Sequence, residues 1–414
     1  MKDEIQNKLD ILEEYQKTKI GILPLDWKST KFKTIFKESI TYADNLSETP
    51  LYSLTIEKGV TPKTDRYERS FLIKDEENSY KIVKKNEFVY NPMNLRFGAL
   101  AKHKENYNIA VSAYYNIFSV NKAHSSTFME YYLKSERMLY LYNSIATGSL
   151  KEKQRVHFSQ FLELDLPVPM YKEQVKIGQI LSKWDKAIEL KGKLIEQKKE
   201  NKKGLMEILL TGKVRLPESD KRGKKVALKG YIKEISTKNK NLSVKQILSV
   251  TNTYGFIEQH EQFDRQIASK DLTGYKIVNR GEFAYNPSRV NVGSIDLLDK
   301  FDSGVLSPIY VVFKTDEKKL FSDYMYQFIK SSEFYEQMKK LLQGSVRQNL
   351  SFESLELMKL FIPEDINEQK SIVNILSTAD EEIELLQKEL ELLKEQKKGL
   401  MQLLLTGIVR VKLS

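Results

Sequence analysis

The chain has 414 residues, enough for two or three domains that each bury a core. It carries 67 Lys and Arg against 56 Asp and Glu, a net charge of +11, so a polyanionic partner is expected, because Lys and Arg gain affinity for phosphates by releasing condensed counterions. The absence of cysteine excludes disulfides and thiolate metal sites, the opening MKDEIQNKLDILEEYQKTK is too charged for a secretory signal, and no apolar run is long enough to cross a bilayer, so a soluble cytoplasmic protein is expected.

In chain order, the short runs EFVYN and YYNIFSV lie between turn signals at Asn, Gly and Pro and predict strands of a compact domain. TFMEYYLKSERMLYLYNSIA follows, with apolar residues at helical spacing. After DLPVPM a long helix is expected, since proline bars helix before it and gives a rigid start, and Gly212 supplies the stop. Stepping four then three along it, the seam runs through Ile177, Leu181, Trp184, Ile188, Lys191, Ile195, Lys198, Lys202, Leu205 and Leu209, apolar at seven of ten positions. The basic stretch KVRLPESDKRGKK (213–225) reads as a linker. GEFAYN and IYVVF then predict strands, LFSDYMYQFIKSSEFYEQMKKLL predicts helix, and KLFIPEDIN leads into a second long helix that Gly407 stops. Its seam, Ile372, Leu376, Ala379, Ile383, Leu386, Leu390, Leu393, Lys397, Leu400 and Leu404, is apolar at nine of ten. A 3.5-residue repeat held this long favours a coiled coil over a helix lying on a sheet.

These elements are written twice. KKGLMEILLTGKVR (202–215) and KKGLMQLLLTGIVR (397–410) agree at 11 of 14 positions and lie 195 residues apart, as do KIVKKNEFVYNP (81–92) and KIVNRGEFAYNP (276–287). Between such anchors the copies diverge, MNLRFGALAKH against SRVNVGSIDLL, so a common frame carries different residues. The expected fold is α+β: a pseudo-two-fold tandem repeat of two mixed α/β domains separated by a pair of long antiparallel coiled-coil helices. The parts are 1–170, 171–215, 216–365 and 366–414, and a helix of about 36 residues rises roughly 54 Å at 1.5 Å per residue. The consecutive apolar residues of GLMEILLTG and GLMQLLLTG exceed one seam, which suggests a second helical partner from another chain.

No two glycines are separated by a single residue and no GxxxxGK loop occurs, so neither a dinucleotide fingerprint nor a phosphate loop is present. YNPMN and YNPSR share only part of the Asn-Pro-Pro-aromatic motif of adenine methyltransferases, and a strand-ending turn in which Asn bonds locally accounts for them better. His103, His124, His157 and His260 lie singly, which gives no metal-ligand spacing. Residues suited to DNA are better placed. The post-Asn-Pro loops offer Tyr90, Asn91, Asn94 and Arg96, then Tyr285, Asn286, Arg289 and Asn291. Loops after the helical patches add Lys151, Lys153 and Arg155, then Arg347, Gln348 and Asn349. Arg, Gln and Asn can make paired hydrogen bonds to guanine and adenine edges, whereas Lys mostly meets phosphate. Each alone reads as an ordinary solvated polar residue; equivalent placement in two diverged copies points to the set. The charge run KGKLIEQKKENKK (191–203) is an exposed helix face or a surface passing close to a duplex.

The two diverged domains, each followed by a long helix that begins in LPVPMYKEQVKIGQIL or LFIPEDINEQKSIVNIL and ends in the repeated stretch above, resemble the specificity subunit of a Type I restriction–modification system over essentially the whole chain, GILPLDWKSTKF included. The second domain has no evident copy of LPLDW, only VALKGYIKEIS after the basic linker. The resemblance implies a subunit without an active site. Each target-recognition domain would read half of a bipartite site in double-stranded DNA, and the helices would set the gap, about one to one and a half turns at about 34 Å per turn, and dock two modification subunits. Those partners would bring S-adenosylmethionine and methylate adenine, and restriction subunits would add ATP- and Mg-dependent translocation and cleavage. The alternatives are a coiled-coil adaptor without sequence-specific DNA binding, a recognition subunit of a related modification system outside Type I, and a self-contained modification enzyme, against which the missing cofactor loop argues.

Overall fold

The repeated Glu-Phe-x-Tyr-Asn-Pro stretch becomes an inner strand of a four-stranded antiparallel sheet in each half of the chain. The computed structural model describes residues 15–18, 21–43, 49–63, 79–150, 153–217, 223–259, 271–342 and 349–413, and the chain divides into two units, Met1–Leu190 with Glu389–Ser414, and Lys191–Lys388.

In the first unit the sheet comprises β1 (Phe36–Glu38), β2 (Phe88–Tyr90), β3 (Leu100–Lys102) and β4 (Asn116–Val120), in the order β1-β4-β2-β3. Phe118 stands opposite both Glu38 and Phe88. Phe88, Val89 and Tyr90 are all fully buried, because both faces of the sheet are covered, and this is why the run is apolar instead of alternating. On one face Phe36, Phe88, Tyr90 and Phe118 pack with Phe161 and with α1 (Ser126–Tyr132) and α2 (Glu136–Ile145). On the other, Val89, Ala101 and Ile117 meet Leu54, Val83, Ile109 and Val111 from two-stranded ladders. The single helical patch expected here is two helices. Ser135 separates them, its hydroxyl accepting the Met138 N–H at 3.4 Å as an N-cap. The long helix α3 (Tyr171–Leu210) begins in this unit.

The second unit repeats the plan with β5 (Ile232–Ile235), β6 (Phe283–Tyr285), β7 (Ile295–Leu297) and β8 (Val311–Thr315), in the order β5-β8-β6-β7. Phe283, Tyr285 and Phe313 face α4 (Ser322–Ile329) and α5 (Ser332–Leu341), while Ala284 and Val312 face Leu248, Val250, Val278 and Leu306. Ser331 separates the two helices as Ser135 does in the first unit, accepting the Phe334 N–H at 3.2 Å. The second copy's counterpart of the stretch that follows LPLDW can also be identified. Gly223–Ala227 pairs with Lys359–Pro363 as Lys28–Lys31 pairs with Asp165–Val168, so VALKGYIKEIS occupies the place of TKFKTIFKES. The last long helix, α6 (Ile366–Leu405), has 40 residues, as α3 does.

All twenty seam positions are buried or half-buried, including Trp184, Ile188, Leu205, Leu390 and Leu400, whose side chains the stepping rule placed inward. Three of the four lysines that interrupt the seam face acids on the other long helix: Lys397 meets Asp185 at 2.5 Å in the first unit, and Lys202 meets Asp380 and Lys198 meets Glu382, both at 2.6 Å, in the second. Within each unit the paired positions run in opposite senses, Lys397 with Asp185 and Arg410 with Glu173, or Lys198 with Glu382 and Arg215 with Glu368, so the helices pack antiparallel. Such half-exposed pairs contribute at most about 1 kcal/mol each; their use is to fix register.

The repeated helical ending serves as a clamp. At its last residue Arg215 donates from Nε and Nη2 to the two oxygens of buried Glu368, at 2.7 and 2.6 Å. Arg410 does the same to Glu173, at 2.8 and 2.9 Å, and also holds Asp26 at 2.9 and 2.7 Å. Gly212 and Gly407, at φ +73 and +74, turn the chain out of each helix toward these partners. The glutamine after each glutamate completes the joint. Gln174 Oε1 accepts the Ser125 N–H at 2.9 Å and its amide reaches the Pro169 carbonyl; Gln369 binds the Phe321 N–H and the Pro363 carbonyl in the same way. Of the apolar residues beside the seam, Met206 and Leu210 enter the core of the second unit and Leu405 that of the first, while Leu403 stays exposed.

Candidate nucleic-acid interface

In the first unit β2 ends at Asn91-Pro92, and the chain turns at once. Asn91 Oδ1 accepts the Met93 N–H at 3.0 Å, residues Leu95–Phe97 form one 3₁₀ turn, and Gly98 at φ +95 ends it. The second unit builds the same loop: Asn286 Oδ1 accepts the Ser288 N–H at 3.1 Å, Val290–Val292 form the turn, and Gly293 at φ +95 closes it. A residue with a Cβ is strained at that φ, which explains why glycine stands at both places.

A second loop lies against the first in each unit. The Tyr90 hydroxyl donates to the Val156 carbonyl at 3.3 Å, and the Val156 N–H returns to the Pro92 carbonyl at 2.9 Å. Tyr285 donates to the Leu350 carbonyl at 3.2 Å, and the Leu350 N–H returns to Pro287 at 3.1 Å. The two loops singled out in the sequence are therefore neighbours, joined by a tyrosine and a backbone bond. The equivalence sets Val156 against Leu350, so Arg155 corresponds to Asn349 and Lys153 to Arg347.

The candidates separate by burial. Asn94, Lys153 and Arg155 are exposed in the first unit, and Arg289, Asn291 and Asn349 in the second. Tyr90 and Tyr285 are corrected: both rings are fully buried core residues whose hydroxyls anchor the second loop, and burial drives their ionisation far above the usual tyrosine range. Asn91 is half-buried and Asn286 buried, and the side-chain oxygen of each is used within the turn. Arg96 is buried. Its Nη1 donates to Gln154 Oε1 at 3.0 Å, and its guanidinium carbon lies 4.6 Å from the centroid of the Phe97 ring, so it braces the two loops together. Lys151, Arg347 and Gln348 lie outside the described residues.

In the helical charge run, Lys198 and Lys202 turn toward acids, as described above, and Lys199 pairs with Glu196 at 2.8 Å. His103 is buried against the Tyr107 carbonyl, His124 bonds Gln174, and burial lowers the His124 pKa; His260 lies outside the described residues. Among the described residues there is no cluster of three metal-ligating side chains, and no helix is long and apolar enough to cross a membrane.

The sequence reading missed the Arg96–Gln154 brace, the exposed apolar side chains of Phe97 and Val292, and the two arginine clamps. The clamps had a signal: an arginine closes both copies of the repeated ending and a Glu-Gln pair opens both helices. Asp26, in the LPLDW stretch, is one of their partners.

Comparison with known proteins agrees with this geometry. The family model described as "Type I restriction modification DNA specificity domain" matches twice, at residues 24–200 and 221–395. A type I restriction enzyme MjaX specificity subunit of Methanocaldococcus jannaschii is 24% identical over 439 aligned positions, covering 97% of each chain. The type I restriction enzyme MjaVIII specificity subunit of the same organism is 26% identical over 320, covering 70% of this chain and 72% of its own. In fold, the chain is similar to the S subunit of a type I restriction–modification system from M. genitalium, with a TM-score of 0.52 at 14% identity, covering 91% of this chain and 96% of the other.

Proposed function

The chain belongs to the type I restriction–modification DNA specificity family, and from that premise we propose that each unit reads one half of a bipartite DNA site through the paired loops described above. Asn94, Lys153 and Arg155 serve the first half-site and Arg289, Asn291 and Asn349 the second; Lys151, Arg347 and Gln348 belong to the same loops by sequence. Their division of labour follows side-chain chemistry: arginine and asparagine suit guanine and adenine edges, and lysine suits phosphate. The observation that carries this reading is a duplicated frame, alike down to the Asn-Pro turn, the φ +95 glycine and the tyrosine anchor, on which the exposed residues differ. A frame kept constant while its exposed side chains change is what reading two dissimilar half-sites requires.

In the same proposal the long helices fix the gap and dock two modification subunits, for which Leu190, Leu385 and Leu392 remain exposed. The chain has no glycine loop for S-adenosylmethionine or ATP, so those cofactors and Mg belong with the partner subunits, which methylate adenine at N6 or cleave. An adaptor that binds only proteins would hold DNA weakly and without salt dependence. Selection of sites from a random duplex pool by the full chain with its partners tests the reading. A split motif with one fixed gap is expected; a contiguous motif, or none, would contradict it.

A further inference from the structure

We propose that Phe97 and Val292 each supply an apolar contact to the 5-methyl group of a thymine in the half-site that their unit reads. The inference rests on the DNA-reading role given above and deepens it. Phe97 and Val292 hold the same place in the two Asn-Pro loops, the last residue of the 3₁₀ turn before the φ +95 glycine, and they are 51% and 59% exposed. A lone apolar side chain at a surface is ordinary. Here, however, the loop around it has been rewritten: Met93, Asn94 and Arg96 in one copy stand as Ser288, Arg289 and Asn291 in the other, and the exposed apolar position persists.

Its presentation is built. Leu95 and Val290, two residues earlier, are fully buried and pin the turn, so the side chain after them is held outward. In the first unit the Arg96 guanidinium lies against the Phe97 ring while Gln154 of the second loop holds it by a 3.0 Å hydrogen bond. The neighbours point to the ligand. Exposed Asn94 lies on the loop that carries Phe97 and exposed Arg155 on the loop bonded to it, and exposed Arg289 and Asn291 lie on the loop that carries Val292, groups that hydrogen-bond base edges and attract phosphates. An apolar side chain among them has one partner in the major groove, since only thymine carries a methyl group there. Phenylalanine and valine can both make that contact, whereas valine is a poor wedge between base pairs.

The test uses the full-length chain and the duplex found by random-pool selection, with each thymine replaced in turn by deoxyuridine, which removes the methyl group alone. In each half-site one replacement should weaken wild-type binding about three- to fourfold, the scale of one buried methyl group. Phe97→Ala should abolish that sensitivity in one half-site and Val292→Ala in the other, while Phe97→Leu should keep it. If the alanine variants stay as sensitive to deoxyuridine as the wild type, the inference is overturned and the DNA-reading role stands. Variants that bind every duplex normally but fail to assemble with modification subunits would overturn it in favour of a protein contact. Should selection yield no split site, the DNA-reading role fails, and the inference with it.

Discussion

Replacing Arg215 with alanine removes one half of a clamp whose other half stays inside the protein. The arginine side chain is 30% exposed and that of Glu368 is 3%, so truncation strands a buried carboxylate. Breaking a buried pair from one side costs about 3–5 kcal/mol. Water reaches the arginine end of this pair and will screen part of the deficit, which brings the expectation to about 2–3 kcal/mol. For a unit of this size that corresponds to a fall of roughly 5–10 °C in the melting temperature of the second unit, measurable by calorimetry. The cost should come mainly from the unpaired charge, so Arg215→Ala combined with Glu368→Gln should recover at least half of it. Contact of Arg215 with the Phe361 ring, 5.5 Å from the centroid, stays lost in both variants and sets the limit of recovery. A double variant as unstable as the single, or a single variant that melts with the wild type, would refute the reasoning.

Arg289→Ala with Asn291→Ala should relax base preference in one half-site and leave the other intact, at about 1–3 kcal/mol per lost bidentate contact, as read by site selection; equal loss in both halves would count against two independent readers. Lys153→Ala should weaken binding evenly across sequences and reduce the slope of log affinity against log salt by about one, measured by titration at several salt concentrations. Tyr90→Phe and Tyr285→Phe should each cost about 1 kcal/mol, seen in denaturant unfolding, because each removes the hydroxyl that ties the two loops together. Burial raises the folded pKa of both tyrosines above the unfolded value. The stability held by their neutral forms is therefore complete below about pH 10 and lost as pH rises beyond it, so tyrosinate absorbance from these rings should appear only together with unfolding.

The parts of this protein governed by local periodicity were legible in its sequence. The duplication and the twin helices needed only residue spacing, and the inward side of each helix followed from the four-three step that the burial of Ile177, Leu181, Ile372, Leu376 and Ile383 reproduces. Adjacency of the two candidate loops was not legible in the sequence, and it rests on the bonds that Tyr90 and Tyr285 make across 66 and 65 residues. Those tyrosines were misplaced for a physical reason: a tyrosine beside Asn-Pro at a strand end looks polar and accessible, and only the helices packed across that sheet face bury it. Arg96 looked like a base reader for the same reason, since its partner Gln154 lies 58 residues away. The clamps join residues 153 and 237 positions apart, a separation no window of local pattern spans. Sequence could still have offered them as a pair, because each member recurs at the fixed offset of the repeat.

The proposal that one chain carries two different readers has a signature in the DNA that its complex marks. Mapping N6-methyladenine in DNA from cells that co-express this chain with type I modification subunits reads that signature. A single asymmetric motif split by a gap of constant length is expected, with methylation in both halves and loss of one half's base preference in the Arg289→Ala, Asn291→Ala variant. A methylated motif that is contiguous, or one whose gap varies from site to site, would contradict it.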